Sequence, residues 1–207
     1  MTRALALAVL LAPLNVLAGA QREEPIDPAV LATLTAQVAD RAAPYFNFKS
    51  PVDGHRWVHE MSERLRKRVP DRKDRIELLK TVQYEATRAG LDPQLVLGVI
   101  HHESNFRKYA VSVADARGFM QVMPFWVKLI GTPDQNLFQL RTNLRYGCTI
   151  LRNYLDVEKG DVYRALGRYN GSLGRPEYPT AVMSAAQRYQ TRPSVLAVQT
   201  VSTASLR

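Results

Sequence analysis

The sequence predicts a mainly α protein. Apolar residues recur at spacings of three and four along most of the chain, the period of a helix that buries one face. Two of these stretches open on an Asp–Pro pair, and others close on Gly or Pro, which cap and stop helices. No stretch alternates apolar and polar residues as a half-buried strand does, and no internal repeat is present. With 46% apolar and 23% charged residues among 207, the chain can fill one ordinary soluble core.

The elements follow in order. Residues 27–42 read as a first helix, with Asp27 as N-cap and Pro28 in the first turn. Residues 43–54 are aromatic and rich in breakers, so a loop is expected there. A basic amphipathic helix is expected over 56–69, ended by Pro70, and a longer one over 74–90, with Ile76, Leu79, Val82 and Ala86 inward and Gly90 as stop. Asp92 and Pro93 open the next helix. Residues 104–118 look irregular, and 118–131 read as a turn or short helix interrupted at Pro124. Helices over 137–160 and 161–171, each closed by Gly, and over 178–190 complete about seven.

Both ends stand apart from this core. Residues 1–20 carry Arg3, then an apolar run, then small residues at Ala18 and Ala20, the pattern of a secretory leader cleaved after Ala20. An uncleaved membrane anchor competes, but the run is short and is broken by Pro13 and Asn15. The expected organisation is therefore a leader (1–20), a helical extension (21–74), a main domain (75–190) and a loose Ser/Thr/Val-rich tail (191–207), in a periplasmic or secreted, monomeric protein.

A net charge of +9 calls for an anionic partner: wall polymer, membrane surface or nucleic acid. Export argues against nucleic acid. The single cysteine, Cys148, shares a helical stripe with Leu144, Leu151 and Leu155 and reads as a small core side chain. His55 and His59 lie four apart, and His101 and His102 are adjacent. With no third ligand at recognisable spacing and no H-E-x-x-H motif, a metal site is not expected, nor is a cofactor. The basic run 64–75 is ordinarily a solvated face, with a wall- or membrane-facing patch as the sharper reading.

One position breaks the hydrophobic pattern in a way that suggests chemistry. In "QLVLGVIHHESNFR" (94–107), Val96, Val99 and Ile100 form an apolar stripe whose next position is Glu103. A Glu at a helix end is ordinarily exposed and unremarked. A carboxyl on the buried stripe is desolvated, and a helix C-terminus also disfavours the anion, so both effects raise its pKa. A carboxyl that keeps its proton near neutral pH suits a general acid. Glycoside cleavage uses such an acid, usually with a second carboxylate about 5–10 Å away. The sequence offers no clear second one; Asp115 is the nearest on the C-terminal side.

With those residues in view, "HHESNFRKYAVSVADARGFMQVMP" (101–124) resembles the core of the SLT-type lytic transglycosylases, related to goose-type lysozyme. That family's ordered motifs appear as Glu103–Ser104, Ser112, "GFMQVMP" (118–124), "NLRYGCTILRNYL" (143–155) and "ALGRYNGSLG" (165–174). The resemblance covers residues 75–190 or so. It implies a lysozyme-like helical domain with a glycan cleft and one catalytic carboxyl, Glu103. That carboxyl would cleave the MurNAc–GlcNAc bond of peptidoglycan, with the substrate's acetamido group and 6-hydroxyl supplying the nucleophiles and a 1,6-anhydro sugar as product. Ser112 would hold the acetamido group or orient the Glu, and Met120 and Gln121 would line the cleft.

Further candidates follow from burial. Tyr169 lies on the stripe Val162, Ala165, Leu166, and its hydroxyl, if buried, needs a partner such as Glu103 or a sugar. Asn170 is a looser candidate that could merely sit at a helix end, and Tyr146 is a lesser one for the cleft wall. The chain departs from the family at Asp115, where Gly is usual, at Phe119 for Leu and at Arg168 for Ala. Asp115 therefore leaves a water-using, goose-lysozyme-like muramidase open. A non-catalytic wall-binding protein is the alternative of another class. Glycan strands of peptidoglycan are the expected partner, and a secretion or envelope-spanning machine is a further one.

Overall fold

A computed structural model describes residues 21–39, 42–48 and 50–191. The leader and nearly all of the tail fall outside these residues. Eight helices are present among them: α1 (Pro28–Ala39), α2 (Pro51–Leu65), α3 (Arg72–Arg88), α4 (Pro93–Ser104), α5 (Phe125–Ile130), α6 (Leu140–Val157), α7 (Val162–Asn170) and α8 (Glu177–Gln187). The only extended pairing among the described residues is two isolated bridges, Val111 with Arg117 and Arg117 with Val122. The protein is mainly α.

The caps explain the starts. Asp27 Oδ1 accepts the Ala29 N–H at 2.8 Å, Asp71 Oδ1 that of Asp74 at 2.8 Å, and Asp92 Oδ1 that of Gln94 at 2.8 Å. One start departs from the expectation. The segment 43–54 is not wholly loop: Ser50 caps α2 and Pro51 opens it, with the Ser50 side chain accepting the Asp53 N–H. Ser–Pro here is a helix start, the same cap-plus-Pro arrangement as Asp–Pro. α2 also ends earlier than expected, at Leu65, and the turn that follows is tied to α3 by Arg75, whose Nη1 donates to the carbonyls of Val69 at 2.6 Å and Pro70 at 2.9 Å.

The core runs through α3, α4, α6 and α7, where Leu79, Val82, Val96, Ile100, Leu144 and Leu166 are fully buried. α2 packs on α3, and α1 lies against α5 and α6, so the helices before residue 74 cover the same core. Glu85 of α3 and Arg145 of α6, both buried, join across it with Nη2 to Oε1 at 2.8 Å. Cys148 is buried on α6, and burial pushes its thiol pKa up, away from reactivity.

The most extensive helix pairing is α4 against α8. It is close because Gly98 has no side chain: a Cβ there would stand 2.8 Å from the Ala186 nitrogen and 2.9 Å from its Cα. Backbones in such contact hold two helices at one separation.

Candidate active site

α4 carries Glu103 one residue before its end. Val96, Val99 and Ile100 are fully buried beneath it, as the stripe requires. The residue as a whole is only partly buried, but the carboxyl itself is sealed: Oε2 has no solvent access and no hydrogen-bond partner. Oε1 accepts one bond, from the Tyr178 hydroxyl at 2.5 Å. Burial raises the Glu103 pKa to about 7, and the Tyr178 hydrogen bond, which favours the anion, opposes part of that rise.

Tyr178 was absent from the sequence-derived candidates. It opens α8, 75 positions from Glu103, and is buried. The available signal was the stripe Tyr178, Val182, Ala185, Tyr189, which buries a phenol whose hydroxyl must find a partner. The His102 ring stands edge-on to the Tyr178 ring at 5.0 Å, holding it from the α4 side.

The loop after α4 is pinned to that helix by Ser104, whose hydroxyl donates to the Phe119 carbonyl at 2.8 Å. Ser112 turns the loop: its Oγ accepts the Ala116 N–H at 3.1 Å. The turn passes through Asp115 at φ 65°, a conformation that favours Gly and that Asp tolerates. The Asp115 carboxylate is exposed and gripped by the Arg117 guanidinium at 2.9 and 3.0 Å.

Met120 and Gln121 form the loop's inner edge, both buried. Gln121 Nε2 donates to the carbonyls of Ala110 and Gly118 at 3.1 and 3.0 Å, so its amide nitrogen ties the loop together. Asn143 Oδ1 accepts the Met120 N–H at 2.8 Å, while its Nδ2 donates to the carbonyls of Arg117 and Leu137 at 2.8 Å. One turn later Gly147 leaves room for Met120, whose Cβ lies 2.8 Å from where a Gly147 Cβ would be. The N-x-x-x-G spacing on α6 thus seats the loop: Asn143 holds its backbone and Gly147 receives its side chain.

Tyr169 is fully buried, and its hydroxyl donates to the Met120 carbonyl at 2.8 Å rather than to Glu103. The Glu103 charge is still close enough to raise its pKa further. Asn170 is buried with Nδ2 unpartnered. Tyr146 turns elsewhere: its hydroxyl donates to Gln135 Oε1, in the loop after α5. Glu103, Tyr178, Tyr169, Met120 and Gln121 therefore gather around one end of α4, and Ser112 shares their loop. His55, His59, His101 and His102 do not converge: His101 Nδ1 lies 2.8 Å from the Tyr189 hydroxyl, and no metal-binding cluster occurs among the described residues.

Fold and site together define an α-helical protein built around one sequestered carboxyl group that titrates near neutrality. Residues 80–192, more than half of the chain, match the family model described as "Transglycosylase SLT domain", and the chain belongs to that family. It is 33% identical over 99 residues to "Transglycosylase" of Enterobacteria phage PRD1, an alignment covering 48% of this chain and 36% of the relative. It is 29% identical over 150 residues to "Membrane-bound lytic murein transglycosylase C" of Cronobacter sakazakii, covering 62% and 40%. The protein of that name in Histophilus somni is 40% identical over 91 residues, covering 38% and 25%. The chain thus aligns with less than half the length of each of these curated relatives. No helix among the described residues is long and apolar enough to cross a membrane.

Proposed function

We propose that the protein is a peptidoglycan lytic transglycosylase in which Glu103 is the sole acid and base. One observation carries the reading: a sealed carboxyl with a pKa raised to about 7, a single phenolic partner and no second carboxylate acting on it. Family membership supports the substrate. Protonated Glu103 gives its proton to the glycosidic oxygen between MurNAc and GlcNAc as that bond breaks. The acetamido oxygen on the same MurNAc bonds to the anomeric carbon. Glu103, now a carboxylate held by Tyr178, takes the proton of the 6-hydroxyl, and O6 displaces the acetamido oxygen. No water enters, the carboxyl regains its proton, and a 1,6-anhydro end results.

Ser112, Met120, Gln121, Tyr169 and Asn170 form the surrounding binding wall in this reading, with Asn170 Nδ2 as a donor for the sugar; Tyr146 supports the wall from behind. The chain works outside the cytoplasm, delivered by the 1–20 leader, on glycan strands attracted to its positive surface. A secretion or envelope-spanning machine is the setting in which a local opening of the wall would be used.

Digestion of purified sacculi followed by mass spectrometry tests the reaction. Anhydro-muramyl products from wild type and none from Glu103→Gln are expected. Reducing muramic acid ends from wild type would replace the reading with hydrolysis, and unchanged turnover in Glu103→Gln would remove Glu103 from the chemistry.

A further inference from the structure

The segment before α1 lies outside the stretch that matches the family model, yet it reaches the loop that carries Met120 and Gln121. In it Gln21 is buried, 4% exposed. Gln21 Oε1 accepts the Met123 N–H at 3.3 Å, and no other acceptor meets that N–H among the described residues. The same amide hydrogen-bonds Tyr169. Burial and the Glu103 charge hold that phenol well above its ordinary pKa, and the Gln21 contact draws it partly back. The Tyr169 hydroxyl in turn donates to the Met120 carbonyl at 2.8 Å. Hydrogen bonds thus run unbroken from the Met123 N–H through the Gln21 amide and the Tyr169 hydroxyl to the Met120 carbonyl. Between those ends Gln121 sits at φ 47°, in the left-handed region, which costs a non-Gly residue free energy and persists only where its surroundings fix the backbone.

The segment that carries Gln21 is itself firmly held. Glu24 Oε2 meets Arg168 Nη1 at 3.2 Å, and Glu158 Oε1 fixes the same guanidinium at 2.6 and 2.8 Å. Ile26 packs on the core, and Asp27 caps α1. Arg168 and Tyr169 are consecutive on α7, so that helix meets the segment at Glu24 and Gln21 side by side. Arg168 is the position where the family resemblance leads one to expect Ala, so this grip is a feature of this chain.

We propose that Gln21 is a positioning residue of the active site: its side-chain amide and Tyr169 together clasp the turn 120–123 and set where Met120 and Gln121 meet the glycan. Asn143 fixes the Met120 N–H, Tyr169 the Met120 carbonyl, and Gln21 the exit at Met123. An apolar side chain in place of this amide would leave the Met123 N–H without its acceptor. Freed at its exit, the turn lets the left-handed Gln121 relax and shifts the surface that the sugar meets. Residues 21–27 are therefore part of the active-site machinery, although they precede the family stretch. The inference rests on the glycan reading of the site and adds to it a residue outside that family's motifs.

Three readouts separate the clasp, the binding and the reaction. Gln21→Met keeps the bulk of the side chain and removes both of its hydrogen bonds. Amide hydrogen exchange is then expected to rise in 118–123 and to stay at the wild-type level in α3 and α6. In the Glu103→Gln background, where no turnover interferes, calorimetry with an N-acetylglucosamine tetramer is expected to show roughly five- to tenfold weaker binding, the worth of one hydrogen bond. Tyr169→Phe should weaken it by a similar factor, and the double variant by no more than the larger single loss, because both changes break one chain of bonds. Losses that multiply, or an unchanged Kd, overturn the proposal. Leu34→Ala, at a buried position of α1, controls for a merely structural role. It should lower Tm and leave Kd at the wild-type value; a Kd loss matching that of Gln21→Met would reassign Gln21 to stability alone. Sacculus turnover by the wild-type protein reports on the glycan reading. Turnover beside an unresponsive Kd discards the clasp and keeps the enzyme, whereas no turnover beside weakened binding keeps Gln21 as a brace of a glycan site and discards the reaction.

Discussion

Glu103 shows how one side chain's surroundings become a pH profile. Its carboxyl must be protonated to start the proposed reaction, so kcat/KM is expected to fall as pH rises through about 7, with a slope of one proton. Tyr178 favours the anion, so Tyr178→Phe should move that limb to higher pH and slow turnover roughly 10- to 100-fold, the range for a hydrogen bond to a charged group; a limb that stays in place would dissociate Tyr178 from Glu103. The same shift carries a stability consequence. The folded pKa lies above the ordinary value, so the native state holds this proton more tightly than the unfolded chain. That contribution is fully present below pH 4.5, is lost as pH rises to about 7, and stays lost above. Glu103→Gln should therefore gain stability over wild type with rising pH, by up to about 3 kcal/mol, and calorimetric Tm values at pH 4 and pH 8 check the sign. Glu103 was legible in the sequence because it interrupts a stripe within its own helix. Tyr178 was not, because its role depends on a pairing between helices that nothing local encodes.

At the scale of elements, the helices were legible wherever a cap and a Pro or Gly marked their ends, as at Asp27–Pro28, Asp92–Pro93 and Gly171. The start of α2 was missed because aromatic residues before Ser50 and breakers around Pro51 masked a cap of the same type. The link between α3 and α6 was equally hidden: a Glu and an Arg 60 positions apart read as surface charges until folding buries both. Glu85→Ala should destabilise the protein by about 3–5 kcal/mol, because Arg145 then stays buried without this carboxylate. Urea unfolding measures it, and a change below about 1 kcal/mol would show that the pair behaves as a surface bridge. The N-x-x-x-G spacing gained a mechanical meaning only from the structure, since the loop that Asn143 and Gly147 receive lies far from them in sequence.

The whole molecule carries +9, and that charge belongs to encounter rather than to the chemical step. Binding to sacculi should weaken as salt rises from about 0.01 to 0.15 M, over which the screening length falls from about 30 to 8 Å. Turnover of saturating substrate should change little over the same range; a kcat that tracks salt instead would place the charge within the reaction. The contact between Gly98 and Ala186 acts over the same distance scale as the site it supports. It lies five residues before Glu103 and eight after Tyr178, on the same two helices that carry the carboxyl and the phenol, so widening it is expected to lengthen their hydrogen bond. The acid constant of Glu103 is in that sense stored as a separation between two backbones: a single methyl group at Gly98, which touches no titrating atom, would detune a proton.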